Sequence, residues 1–376
     1  MKIALIANYR PDQSYSMHGY AAMLGQGLRG RGHDVETVHP PIVFGRVAND
    51  HRPFAKWFGY IDKYLFGISS LRRKIRRFDP DIVHVCDHSN SMYLRSAGDK
   101  PRVITCHDLI AVNTARGRYP GLSTRLTGRI QQRWIARGLV QAPHVICDSQ
   151  KTASDFRLNF PNSRADIRVI YLGLREGFSV RSTAEIRAAL TALGLSTETP
   201  YLLHVGHNGW YKNRLGAMRI YANLRQFPEF QSVMLVMVGR AWTAPMHAFC
   251  GQSKLRNWVA EVRNTSDSIL SALYSGAEAL LFPSLEEGFG WPMVEAQACG
   301  CPVITTNRPP MTEIAGEAAI LIDPSNPCLA AQTIREQWPR RAEVREAGFR
   351  NLKRFSPHAM LDACCSAYES IIAAKC

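Results

Sequence analysis

Leu280–Cys301 reads LLFPSLEEGFGWPMVEAQACGC. Ala279–Phe282 is a short apolar run that fits a buried parallel strand, and Pro283 ends it. Glu286–Gly290 then reads as a loop. Its two glycines allow positive φ or close approach of a ligand to the backbone. Pro292 suits the first helical position, and the helix runs on until Gly300 stops it. The stretch therefore predicts strand, loop and helix, with Glu287 in the loop and Glu295 about one turn into the helix. The free N–H groups of the helix start point toward whatever binds there. A carboxylate only accepts hydrogen bonds, so the pair suits a ligand rich in hydroxyls and phosphate. The pair alone also admits a plainer reading, in which Glu295 offsets the helix dipole and Glu287 is a solvated charge.

Outward from this stretch the chain alternates strand-like and helix-like pieces, which predicts the α/β class. At 376 residues there is room for two domains. No apolar run approaches the length of a membrane span, and the apolar start MKIALIA reads as a first buried strand. The ten cysteines form no C-x-x-C and no regular framework, which fits free thiols in a reducing cytosol. The net charge of +15 calls for an anionic partner: a phosphate-bearing ligand, nucleic acid or an acidic membrane surface.

The first half is expected to open with strand Lys2–Ala7, a polar loop Tyr9–Gly19 and a helix Tyr20–Arg29. A loop ending at Gly19 before a helix can carry phosphate on its N–H groups, although G-x-G-x-x-G is absent. Asp79-Pro80-Asp81 precedes a strand and reads as a turn, not as a metal site. His84, Cys86 and His88 alternate on that strand; they fit either a packed strand end or three zinc ligands lacking a fourth. His107-Asp108 ends strand Val103–Cys106 on its carboxyl side, where open α/β sheets bind ligands. Arg125, Arg129, Arg133 and Arg137 recur every four residues on a predicted helix. That stripe is either a solvated face or a surface for lipid headgroups or an anionic acceptor. In the second half, strand Tyr201–Val205 runs into Gly206-His207-Asn208-Gly209-Trp210-Tyr211-Lys212-Asn213. A glycine, a turn and a lysine before a helix suit phosphate.

These motifs together resemble the retaining glycosyltransferases of family 4, over nearly the whole chain. They are the Glu-x7-Glu of EGFGWPMVE, AQACGCPVITTNRPPMTEIAGEAA, ITCHDL and the VGH…KN segment. The resemblance implies the GT-B fold: two facing Rossmann-like doubly wound domains, a cleft between them and a last helix that crosses back to the first. The implied domains are residues 1–175 with the helix 356–376, on the acceptor side, and residues 176–355, which hold the nucleotide sugar. It implies that Glu287 contacts the donor sugar and Glu295 the nucleotide ribose. The backbone of Gly288, Phe289 and Gly290 would meet sugar hydroxyls. Lys212 would hold the pyrophosphate with Gly206 and His207, Gly19 would line the donor phosphates, and His107 would sit by the reacting sugar. His207 stands where the family carries arginine, and Arg214 or Arg240 is the expected substitute.

The expected activity is transfer of a hexose, mannose or glucose, from a nucleoside-diphosphate sugar to a hydroxyl of a glycan or lipid-linked acceptor. Retention and an α-linkage are implied, with no metal and no other cofactor, at the cytoplasmic face of the membrane. Two other readings remain: a sugar-nucleotide epimerase or hydrolase of the same fold, and a non-catalytic basic nucleic-acid-binding protein. Against the last, the basic residues are not interleaved with stacking aromatics.

Overall fold

The computed structural model describes residues 1–12, 15–46 and 55–375, and the chain divides into two compact units. The first comprises Met1–Gly173 with Pro357–Cys376, the second Leu174–Ser356.

The first unit contains strands β1 (Lys2–Ile6), β2 (Asp34–Val38), β3 (Ile82–Val85), β4 (Arg102–Cys106), β5 (His144–Cys147) and β6 (Asp166–Val169). They form one parallel sheet in the order β2-β1-β3-β4-β5-β6. Its helices are α1 (Tyr15–Gly30), α2 (Ala55–Ile61), α3 (Gly67–Phe78), α4 (Ile110–Ala115), α5 (Leu126–Val140) and α6 (Gln150–Asn159). All of β3 is buried, which explains why its sequence shows no inside–outside alternation. Chain order reverses between β1 and β3, and that is where open α/β sheets leave a crevice beyond the carboxyl ends of their strands.

The expected loop up to Gly19 is not what forms. Helix α1 begins at Tyr15, so the N–H of Gly19 falls inside the helical ladder, beyond the four free N–H groups of the first turn. One glycine costs a helix only about 1 kcal/mol, and burial of Tyr20, Leu24 and Leu28 outweighs it. Residues 13 and 14 of that expected loop lie outside the described residues.

The second unit runs α7 (Thr183–Ala192), β7 (Tyr201–Gly206), α8 (Arg214–Leu224), β8 (Met234–Gly239), α9 (Ala244–Gln252) and β9 (Val259–Val262). It continues with α10 (Asp267–Gly276), β10 (Ala279–Phe282), α11 (Trp291–Ala298), β11 (Val303–Thr306), α12 (Met311–Ala315), β12 (Ile320–Ile322), α13 (Pro327–Gln337) and α14 (Arg341–Asn351). The sheet is again parallel, in the order β12-β11-β10-β7-β8-β9. Its reversal lies between β7 and β10, the two strands whose C-terminal loops carry Lys212 and Glu287. Ser182 and Glu185 form a reciprocal capping box at the start of α7.

The last helix, α15 (Pro357–Ala373), packs in the first unit. Tyr368 on α15 bonds His84 Nδ1 on β3 at 2.6 Å, and Arg31 pairs with Asp362. Each unit is thus a doubly wound, Rossmann-like sandwich of helices on a parallel sheet.

Candidate functional site

In the second unit the site is built on two loops. The loop after β7 contains a short turn, Trp210–Lys212, closed by Asn213 in the left-handed region at φ 50°. The loop after β10 runs from Pro283 to Gly290. Asn213 Nδ2 donates to the Pro283 carbonyl at 3.0 Å, and Leu285 N–H donates to the Tyr211 carbonyl at 2.7 Å. These two bonds fix one loop against the other. Across them Lys212 Nζ meets Glu287 Oε1 at 2.7 Å, and both side chains are largely buried. Gly290, which caps α11, has φ 99°, and a Cβ there would come within 2.7 Å of the Met293 side chain. A non-glycine residue would therefore strain the backbone, and the end of the Met293 side chain would have to move aside. The Phe289 ring is buried and packs edge-on against Phe355.

Glu295 lies deeper and is only 2% exposed. Arg175 donates to Oε1 from Nε at 2.9 Å and from Nη2 at 2.6 Å, and Tyr274 donates to Oε2 at 3.2 Å. Burial raises its pKa above the ordinary carboxyl range, and Arg175 opposes that without cancelling it. Nothing in the local sequence marks Arg175 as its partner, because 120 residues separate them. His207 shapes its own turn: Nδ1 accepts from Gly209 N–H at 2.9 Å, and Nε2 faces Tyr211 Oη at 3.0 Å. An Nδ1 that accepts carries no proton, so this geometry belongs to a neutral imidazole.

In the first unit His107 lies just beyond β4. It is 4% exposed. Its Nδ1 lies 3.2 Å from Asp148 Oδ2, and its Nε2 lies 2.9 Å from the Cys86 carbonyl. Both neighbours are acceptors, so with Asp148 ionised both ring nitrogens must carry hydrogen. Burial disfavours that charge, yet Asp148, Asp87 and the Cys86 carbonyl together raise the His107 pKa. Asn8 after β1 donates to Asp87 after β3 at 2.5 Å, across the reversal of strand order. Asp148, Asp87 and Asn8 were missed in the sequence, where nothing but their positions just beyond strand ends could have flagged them. Asp108, next to His107, accepts from the N–H of Ile110, the first residue of α4, at 2.9 Å.

The zinc alternative loses its ligands. His84 is fully buried with Tyr368 Oη on one nitrogen and Thr105 Oγ1 on the other, and burial holds its pKa down to about 3. Burial pushes the Cys86 thiol up, and His88 lies beyond the strand. Among the described residues no group of three or more His, Cys, Asp or Glu is placed to hold a metal.

Residues 18–176 match the family model for Glycosyltransferase Family 4, and residues 186–347 match that for glycosyl transferases group 1. The chain belongs to family 4 of the glycosyltransferases. This family 4 chain is 27% identical to the O-antigen chain mannosyltransferase B of Escherichia coli, over 50% of its own length and 52% of the relative's. It is also 27% identical to the MMP alpha-(1->4)-mannosyltransferase of Mycolicibacterium hassiacum, over 67% and 60%. The matches thus span between half and two thirds of these relatives. Sucrose-phosphate synthase from Thermosynechococcus elongatus superposes with a TM-score of 0.76 over 100% of both chains at 19% identity. The glycosyltransferase WaaG gives 0.71 over 99% of both at 15%. The fold is GT-B. Among the described residues no helix is long and apolar enough to cross a membrane.

Proposed function

We propose that the protein transfers mannose from a nucleoside-diphosphate sugar to a hydroxyl of a glycan or lipid-linked acceptor in envelope polysaccharide or glycolipid synthesis. The configuration is retained and the new bond is an α-linkage. One observation carries the reading: Lys212 and Glu287 meet at 2.7 Å across the reversal of strand order in the second unit, beside a glycine-capped helix start. The two mannosyltransferase relatives support the choice of sugar.

In this reading the second unit holds the donor and the first the acceptor. Lys212 and the N–H groups at the start of α8 stabilise the diphosphate as the C1–O bond breaks. The acceptor oxygen forms the new bond on the same face, and its proton passes to the leaving diphosphate. Glu287 positions the sugar and does not attack it. The backbone of Gly288, Phe289 and Gly290 meets sugar hydroxyls, Glu295 faces the ribose, and His107 orients the reacting hydroxyl. No divalent metal is required, because the positive charge needed by the leaving group comes from the chain.

The test is incubation with a panel of mannose and glucose nucleotides and a lipid-diphosphate oligosaccharide, with and without EDTA. An α-linked product at the same rate in both is expected. Free sugar or an epimer formed without acceptor supports the epimerase or hydrolase reading instead. Absence of product and of any nucleoside-diphosphate binding overturns the proposal.

Helix α5 supports a peripheral place at the cytoplasmic face of the membrane. Arg129, Arg133 and Arg137 line a groove of about 640 Å³ with Arg116, and no carboxylate lines it. On a neighbouring stripe Leu126, Ile130 and Trp134 are 70%, 40% and 48% exposed. Arginines beside exposed apolar residues suit an anionic lipid surface. Arg125 stands just before the helix. Sedimentation with anionic but not neutral vesicles, lost on Trp134→Ser with Arg133→Ser, is the expected result; equal sedimentation with both vesicle types overturns it.

A further inference from the structure

Arg214 is the first residue of α8 and is only 4% exposed. Its Nη1 donates to Asn208 Oδ1 and, at 2.7 Å, to the Arg240 carbonyl. Its Nε and Nη2 are buried with no hydrogen-bond partner among the described residues. Glu261 is the carboxylate whose field it feels, but that carboxylate already takes Trp242 N–H at 2.5 Å and Arg263 at 2.7–2.9 Å. Burial lowers the Arg214 pKa, yet an arginine stays protonated at any working pH. A buried guanidinium whose Nε and Nη2 are unpartnered, with no ion pair among the described residues, is costly unless something else supplies the anion.

The place of those empty groups says what the anion is. Asn208 and Arg240 lie just beyond β7 and β8, so the guanidinium sits at the carboxyl ends of two adjacent inner strands. Gly206 and Gly239 pair at those ends. A Cβ on Gly239 would collide with the Gly206 carbonyl and sit 3.7 Å from Arg214 Cζ, so position 239 itself places no side chain against the guanidinium. The first free N–H groups of α8 start at the same residue, and a helix start favours phosphate. Of the other nearby cationic residues, Lys212 is paired with Glu287, His207 has the geometry of a neutral ring, and Arg240 gives its carbonyl to Arg214.

We propose that Arg214 is the guanidinium that binds the diphosphate of the nucleotide-sugar donor, in the place where His207 supplies no charge. This rests on the glycosyl-transfer reading above. Arg214 then binds as a planar fork through Nε and Nη2, while Lys212 acts as a point charge alongside. Binding of the anion removes the cost of the unpaired buried charge, so affinity depends on the diphosphate more than on the base.

The experiment compares wild type, Arg214→Lys and Arg214→Gln for binding of a nucleoside, its monophosphate and its diphosphate by titration calorimetry. The base is whichever gives the tightest diphosphate complex with wild type, and melting curves check folding. Arg214→Lys keeps the charge and loses the fork, so it reads the proposal even where Arg214→Gln fails to fold. The expected result is at least a tenfold loss for the diphosphate, a smaller loss for the monophosphate and none for the nucleoside. His207→Arg added to Arg214→Lys should recover part of the diphosphate affinity. Equal losses for all three ligands, or no loss for any, would overturn the role given to Arg214 while leaving the transferase reading in place. Wild-type protein that binds no diphosphate overturns both.

Discussion

Replacing Arg175 with alanine isolates one buried carboxylate and shows how the second unit tolerates it. Glu295 is 2% exposed and takes two hydrogen bonds from Arg175 and one from Tyr274. Removing one partner of a buried pair costs about 3–5 kcal/mol, because the other charge is left without compensation. The second contact of Arg175, with Asp267, adds at most about 1 kcal/mol, since that carboxylate is 57% exposed. Glu295 escapes part of the cost by taking up a proton. An expected loss of about 3 kcal/mol at pH 8 corresponds to a melting point roughly 6–12 °C lower for a unit of this size.

The pH dependence gives the sharper reading. Burial already raises the folded-state pKa of Glu295 against the pull of Arg175. Without Arg175 it rises further above the unfolded value of about 4.3. Between those two values the folded chain binds more protons than the unfolded one, so stability falls as pH rises through the window and is regained on acidification. The deficit of Arg175→Ala against wild type should therefore be large at pH 8 and shrink toward pH 5. Adding Glu295→Gln should remove most of it. Differential scanning calorimetry of the full chain resolves this if the transition of the second unit is monitored separately. A variant that melts within about 1 °C of wild type at pH 8, or a deficit identical at both pH values, would refute the reasoning.

Three other outcomes are expected. Lys212→Ala should lower kcat/KM for sugar transfer by about 100-fold or more, the size seen when one charge-stabilising group is removed; a loss under tenfold counts against it. Asp148→Asn should move the His107 titration in the pH–rate profile downward, because the carboxylate opposes the effect of burial on that ring; an unmoved profile would show that His107 does not titrate with the rate. Asp62 is buried and accepts from Tyr9 Oη at 2.6 Å and from Val43, Phe44 and Gly45 N–H at 2.9–3.0 Å. Burial works to raise its pKa, but these four donors outweigh it and lower it. Asp62→Asn should cost about 1–3 kcal/mol at pH 7, with the difference from wild type vanishing as pH falls below about 3.9 and through the depressed pKa; a deficit that persists in acid contradicts the assignment.

The range of each interaction decides whether the chain alone reveals it. Ala279–Phe282 was legible because a strand buried on both faces needs an unbroken apolar run, and Pro283, Gly290 and Pro292 punctuate the loop and helix beyond it. Strands β9 and β12 escaped for the opposite reason. VAEV carries a charge, and ILI is only three residues long, so their pairing with β8 and β11 decides what local pattern does not. Gly19 misled because a glycine argues for a loop locally, whereas α1 is set by the apolar face it buries. The site behaves likewise. Lys212 and Glu287 each stood out in their own loop, but their contact spans 75 residues and exists because strand order reverses between β7 and β10. Arg175 and Asp148 carry no motif at all, and Arg214 stands in the sequence only as one of two arginines near His207, with nothing to choose between them. Each is marked by what its buried charge meets or fails to meet, a property of the folded chain that no spacing along the sequence encodes.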